Sequence, residues 1–336
     1  MEGWIPERIH YCKEGGRMSS PLYRCRTGHR GIAGVCFIRW CSQVSGSDIE
    51  MQRNDRRMKN TYVGEMKKHF ESYKRDRMGM DIPGTWIKNN KPYSHLLERV
   101  SLRLNIIETY RSEFWAEKKV GNLGDFNLHP CFHHLTSSQA MCFNLFFPFL
   151  NDGLRHMPML LKALDLPMGD VAEAVFEKMM DAKEGTAFDF FLRDKDGCQV
   201  TFELKLTETD FGATKQDEKH EGKFRNIYAP MAEKILNPEF AEMKAFLKNY
   251  QFLRNLIYIG AARNSSCLFV LPKANPVFIG VEKRLDAALL PEFRSKARVV
   301  WLEDIVTTLA KLAQSSGDVR LLYHLEAFGE KYLAVK

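Results

Sequence analysis

Three side chains in one short stretch have the types and the spacing for hydrolytic chemistry: Asp189, Glu203 and Lys205, within TAFDFFLRDKDGCQVTFELKLTE at 186–208. Phe188, Phe190 and Leu192 alternate with Ala187, Asp189 and Phe191, and further on Phe202, Leu204 and Leu206 alternate with Thr201, Glu203 and Lys205. That period of two is the mark of half-buried strands. Asp194 to Gly197 reads as the turn between them, with Asp196-Gly197 a favoured turn pair. Folding about this turn sets Asp189 opposite Glu203, within one residue, on the face that Lys205 shares. The Phe and Leu face is then left for the core. Carboxylates opposed across neighbouring strands repel unless a cation or a proton lies between them. A hard divalent ion such as Mg2+, with Mn2+ as a substitute, accepts a few carboxylate oxygens and leaves room for water and a substrate phosphate.

Asp189, followed on the next strand by Glu203-Leu204-Lys205, resembles the Asp and Glu-x-Lys signature of the PD-(D/E)XK nuclease superfamily. The surrounding sequence, from about Thr136 to Asn255, is similar to bacterial restriction endonucleases of that superfamily. Phe188 stands where the signature often has proline. The resemblance implies an α/β, restriction-endonuclease-like αβββαβ core with a central mixed sheet flanked by helices. It implies Mg2+-dependent hydrolysis of DNA phosphodiester bonds, with Asp189 and Glu203 on the metal and Lys205 orienting or activating water and offsetting charge on phosphorus. DNA is the expected partner; the sequence leaves the oligomeric state open, a homodimer being one option. Glu-x-Lys also occurs at Glu65/Lys67, Glu117/Lys119 and Glu242/Lys244, where solvated helical pairs are the simpler reading. The Glu203 copy differs in its apolar strand flanks and in its partner acid across a turn. A competing reading is a nucleic-acid-binding protein on the same fold without catalysis, for which metal binding would not depend on Asp189.

Several elements must position these residues. Residues 171–180 have helix-favouring composition, but the resemblance calls for a strand that precedes the Asp189 strand. Glu173 and Glu177 share a side in either case, and Glu177 is the candidate for a further metal-binding carboxylate. The polar stretch 207–229 is the length of a substrate-contacting loop. A helix over 238–259 follows, carrying Gln251, Arg254 and Asn255; Gln251 either joins the site or ties the helix to the sheet. Cys267 to Leu271 reads as a buried strand, Val299 to Leu302 as another, and 304–313 and 319–332 as helices. The order helix, three strands, helix, strand places a nuclease-like domain at 136–336.

Ahead of it, 51–135 reads as a basic helical region. Arg56, Arg57, Lys59, Lys67, Lys68, Lys74, Arg75 and Arg77 are interleaved with Tyr62, Phe70 and Tyr73, a composition suited to phosphates or to a solvated face. Residues 93–115 continue with apolar positions at helical spacing. The loop at 121–134 holds His129, Cys131, His133 and His134 without the helical spacing of a zinc enzyme, so ordinary loop packing is expected. Thr136-Ser137-Ser138-Gln139 matches a capping box ahead of an apolar helix. Residues 1–50 are rich in Gly, Ser, Arg and Cys, and are expected to be disordered or to precede the true start at Met51 or Met58. Cys12, Cys25, Cys36 and Cys41 fit no usual zinc pairing.

Over 336 residues the formal charge is +7, with 45% hydrophobic and 27% charged residues. This is the composition of a globular protein compatible with a polyanionic partner. The longest apolar run, CFNLFFPFL, is too short to span a membrane. Eight scattered cysteines without CxxC pairs suit a reducing cytoplasm. No GxSxG or GxxxxGK[ST] string occurs, which disfavours a serine hydrolase or P-loop enzyme.

Overall fold

The structure, a computed structural model, describes residues 46–335 apart from 125, 183, 186 and 263, with side chains from residue 61 onward. Expectations for residues 1–45, including their cysteines, and for the side chains of Arg56, Arg57 and Lys59 lie outside the described residues. Residues 46–336 cluster as one compact unit. It begins with the long helix α1 (Gly46–Met78), the two-stranded hairpin β1 (Gly84–Trp86) and β2 (Lys91–Tyr93), and α2 (Glu108–Val120). The helix expected over 93–115 is therefore divided. Residues 99–105 form a 3-10 turn, and Val100 is 89% exposed.

Helices α3 (Ser138–Leu154) and α4 (Met157–Ala163) precede the strands β3 (Val171–Met179), β4 (Ala187–Asp194) and β5 (Gln199–Leu204). Helix propensity over 171–179 is thus overridden by pairing with β4. Next come the short helices α5 (Glu218–Lys223), α6 (Ala229–Ile235), α7 (Pro238–Ala241), α8 (Met243–Lys248) and α9 (Tyr250–Ile257). The single helix expected over 238–259 is interrupted at Glu242 (ψ 133) and at Asn249 (φ −114, ψ 33). Strand β6 (Ser265–Leu271), α10 (Val281–Ala288), β7 (Ala297–Trp301), α11 (Leu302–Ser316) and α12 (Val319–Tyr332) complete the chain.

The five main strands form one mixed sheet in the order β3-β4-β5-β6-β7. The first three run antiparallel as a meander, and β5, β6 and β7 run parallel, joined by helical crossovers. Each face carries its own core. One gathers α1 to α4, α11 and α12 on Phe190, Leu192, Phe202 and Leu204; the other gathers α6 and α8 to α10 on Phe188, Cys267 and Phe269. Phe146 of α3 stacks on Phe190 at 4.3 Å between centroids and meets Phe202 edge-on at 5.2 Å. This aromatic packing fixes the hairpin against α3 and adds roughly 0.5–1.5 kcal/mol per pair beyond area burial.

Candidate active site

The site forms where regular strand pairing fails on both sides of β4. The β4–β5 ladder runs from Arg193–Gln199 to Phe190–Phe202, and Asp189 faces Glu203 one step beyond its end. There the Leu204 amide donates to Asp189 Oδ2 at 2.6 Å. The β3–β4 ladder passes from Phe176–Phe190 to Lys178–Phe188 without a pair at Glu177. Glu177 has φ 51, a left-handed conformation that its Cβ disfavours. Such a residue costs about 1–3 kcal/mol and tends to occur where a side chain must be aimed. Alternation breaks at the same level: Phe190 and Leu192 pack in one core while Phe188 packs in the other. The sequence pattern had put all three on one face; the turnover beside Asp189 separates them.

A cavity of about 480 Å3 opens here, and Asp189, Glu203, Lys205, Glu177 and Gln251 all line it. Helix α9 covers the acid face, leaving Glu203 4% and Lys205 7% exposed. Glu203 is held at both oxygens: Lys205 Nζ lies 2.6 Å from Oε1, and Asn255 Nδ2 donates to Oε2 at 2.8 Å. Lys205 also donates to Gln251 Oε1 at 3.0 Å. Gln251 is fixed in turn by Gly212 (φ 76), where a Cβ would lie 2.8 Å from the Gln251 Cδ. Glu208, from the stretch between β5 and α5, and Arg254 of α9 complete that side. Arg254 lies over the Phe188 ring at 5.0 Å, and its Nε is 4.0 Å from Glu184 Oε1.

The three acids do not share one electrostatic fate. Burial, followed by repulsion from Glu203 and Glu177, pushes Asp189 well above the usual carboxylate range. Burial also raises Glu177, against the lowering effect of its Gln139 hydrogen bond. Burial raises Glu203 too, but Lys205, Arg254 and Asn255 overcome it and hold that group low. Lys205 is raised: Glu203, Glu208 and Asp189 outweigh the burial that would lower it. The arrangement therefore holds an ionised glutamate beside an ammonium, next to an aspartate that favours its proton.

The opposite wall is one that sequence reasoning missed. His129, Cys131 and His134, expected to serve loop packing, line the same cavity, as do Ser137 and Gln139. The cap of α3 is Ser137, whose Oγ accepts from the Ala140 amide at 3.2 Å, so Gln139 is not part of a capping box. Gln139 instead donates to Glu177 Oε1 at 2.8 Å and accepts from the His129 amide at 2.8 Å. A signal was present: Gln139 and Asn144 are the polar residues in an otherwise apolar run, QAMCFNLFFPFL. Burial first, then the neighbouring His133, lowers His134 to about 4, so a neutral imidazole faces the acids.

Among the described residues no three His, Cys, Asp or Glu groups converge closely enough to form a complete metal cage. What the cavity offers is a set of hard carboxylate oxygens on adjacent strands, a fixed ammonium and room for a small anion. No helix of the described residues is long and apolar enough to cross a membrane.

A family model described as Restriction Endonuclease associating with ARP matches residues 67–333. Neither the curated proteins nor the solved structures contain a match to this chain.

Proposed function

This chain belongs to the family Restriction Endonuclease associating with ARP, and on that premise we propose that it is a metal-dependent endonuclease of the PD-(D/E)XK type that hydrolyses DNA phosphodiester bonds in restriction or defence. The observation that carries this reading is the convergence of Asp189, Glu203 and Lys205 on one cavity at the point where β4 and β5 part. The order α3, β3 to β5, α5 to α9, β6 supports the αβββαβ core.

The donor set fits a hard divalent cation. Burial, and after it repulsion from Glu203, raises both Asp189 and Glu177, the strain that a cation beside them relieves. Mg2+ takes only one or two protein carboxylates and keeps waters, so an incomplete protein cage is what it requires. Asp189 and Glu203 would hold it, and Glu177 lines the same cavity as a candidate further carboxylate. When bound, Mg2+ or Mn2+ supplies positive charge at the phosphate and acidifies a coordinated water.

The chain's own groups have separable tasks. Lys205, kept protonated by Glu203, Glu208 and Asp189, is a cation that neutralises charge developing on phosphate oxygens. Its raised pKa argues against a role as the base. Asn255 fixes one oxygen of Glu203, and Gln251 fixes Lys205, so both elements of the ion pair are oriented from α9. Gln139 does the same for Glu177 from α3.

Plasmid cutting in Mg2+ tests the assignment. Asp189→Ala and Lys205→Ala abolish it while DNA binding survives; full activity of either variant removes the proposal. The Lys205–Glu203 ion pair, which satisfies Glu203 without a metal, favours the competing reading of a non-catalytic DNA-binding protein. Mn2+ titration by calorimetry separates the two, because the nuclease reading requires binding heat that disappears in Asp189→Ala.

A further inference from the structure

The hairpin β1–β2 is a small element held with unusual firmness. Lys74 of α1 is buried, and its Nζ donates to three backbone carbonyls: Ile82 at 2.6 Å, Ser94 at 2.9 Å and Leu96 at 2.7 Å. One ammonium thus clamps the chain entering the hairpin to the chain leaving it. The root is pressed so close to its neighbour that a Cβ on Gly84 would lie 2.1 Å from the Leu97 carbonyl oxygen. His133 Nε2 meets Thr85 O at 3.2 Å, and the Trp86 ring packs edge-on against His134, which lines the cavity, at 6.3 Å. A rigid ribbon therefore stands on the cavity wall that faces the acids.

Its tip is of the opposite character. Ile87 is 44% exposed, and Lys88, Asn89, Asn90 and Lys91 are exposed as well. Asn89 is used internally, donating to Tyr93 Oη at 2.8 Å and accepting from the Lys91 amide at 3.1 Å, and Asn90 takes a left-handed φ of 54. The turn is thereby set, with Ile87, Asn90 and Lys91 exposed and the exposed Lys88 lying over the Trp86 ring at 5.9 Å. The run GTWIKNNKPY from Gly84 to Tyr93 contains no acid. Lys88, Arg99 and Lys67 act electrostatically on His129, His133 and His134 respectively, while Glu98, Asp81 and Glu71 act on Lys74 at the root.

We propose that the β1–β2 hairpin is a DNA-reading ribbon, its tip entering the major groove of B-form duplex DNA whose backbone reaches the adjacent cavity. The inference rests on the DNA reading above. A two-stranded ribbon, with strands about 4.8 Å apart, fits a B-DNA major groove about 12 Å wide. Lys88 and Lys91 meet the flanking phosphates, and Ile87 and Asn90 present an apolar contact and an amide to base edges, as thymine methyls and adenine require. The deep, narrow major groove of an RNA duplex does not admit such a ribbon.

The test is binding of a fluorescent 30-base-pair DNA duplex to the full chain in EDTA across a salt series, for wild type and the double variant Lys88→Gln/Lys91→Gln. The variant is expected to bind about tenfold more weakly and to flatten the log K against log salt slope by about 2, roughly 0.9 for each phosphate that is no longer neutralised. Hydrogen exchange over 84–93 should slow when duplex is added to wild type. An unchanged affinity and slope overturns the proposal, as does a wild type that binds no duplex, or one that binds an RNA duplex equally well through the same lysines. An unchanged melting temperature shows that the variant is folded. Failure of this inference and failure of the nuclease reading separate cleanly. A wild type that cuts DNA yet binds independently of the hairpin refutes the ribbon alone, and one that binds through it without cutting in Mg2+ or Mn2+ refutes catalysis alone.

Discussion

Lys205 and Lys331 are both buried, at 7% and 1% exposure, yet their surroundings treat the charge in opposite ways. Lys331 of α12 donates to Asn105 O at 2.6 Å and Asn105 Oδ1 at 2.8 Å. Asn105 and its neighbours Asn144 and Tyr332 are joined by neutral hydrogen bonds, and burial, then Arg111, lowers the amine well below its usual range. Lys205 is raised, because Glu203 in direct contact, with Glu208 and Asp189, outweighs its burial. Burial alone therefore does not mark a functional lysine. A buried ammonium that stays charged is expensive unless anions face it, and the carboxylates that keep it charged are themselves strained by their proximity. The first region is closed upon neutral partners and ties α12 to α3; the second stores opposed charges beside an open cavity, where an incoming cation or phosphate changes the balance.

The sharpest test of this contrast sets the two lysines against each other. Lys205→Ala should reduce metal-dependent DNA cutting by about 10²–10³-fold or more, the scale of losing one charge-stabilising donor. Lys331→Met should leave cutting per folded molecule unchanged. Equal loss in both, with both folded, breaks the comparison.

The platform under the cavity comes next in size. Phe190 is fully buried between Phe146 and Phe202, so Phe190→Ala should cost about 3–5 kcal/mol of stability, measured by urea denaturation. A cost below about 1 kcal/mol would show that the hairpin is not anchored by this stack. Smaller again is Lys331→Met, about 1–3 kcal/mol for leaving Asn105 Oδ1 without the Lys331 donor, while Asn105 O keeps the Asn144 amide. A shift in melting temperature with no change in Mg2+ affinity is its expected signature.

How much of this was legible in the sequence follows from range. The hairpin and the facing of Asp189 and Glu203 depend on local alternation and a turn, and both were readable. Strand β3 was reached through the resemblance, against the local propensity of its Ala, Glu, Lys and Met. Gln139, His129, Cys131 and His134 come to the cavity through the packing of α3 on the sheet, which no local pattern encodes. The left-handed Glu177 has no sequence signature, because glycine or asparagine is what that conformation usually selects. Strict alternation misplaced Phe188 for the same reason: the break in pairing is a property of three strands together. The helix over 238–259 carried the right periodicity for its last part, and α9 does present Gln251, Arg254 and Asn255 to the site. Its interruptions at Glu242 and Asn249 answer to neighbours such as Arg284, which donates to Asn249 Oδ1 at 2.6 Å.

The least dramatic prediction concerns the proton on Asp189. Its native pKa is raised by burial and by Glu203 and Glu177, whereas in the unfolded chain it titrates near 3.9. Between those two values the native state holds a proton that the unfolded state has released, so this residue's contribution to stability is full below the unfolded pKa and declines as pH rises toward the native one. Asp189→Asn cannot titrate and still offers an oxygen to the Leu204 amide. In EDTA its melting temperature should match wild type near pH 3.5 and exceed it increasingly toward pH 8. The opposite dependence of Glu203, whose stabilisation is lost on acidification, is present in both proteins and largely cancels in the difference. Mg2+ should reverse the ranking by stabilising wild type and leaving the asparagine variant unchanged, with proton release on binding and affinity that rises with pH. A variant that melts below wild type at every pH would mean that the Asp189 carboxylate is satisfied as it stands and needs no cation.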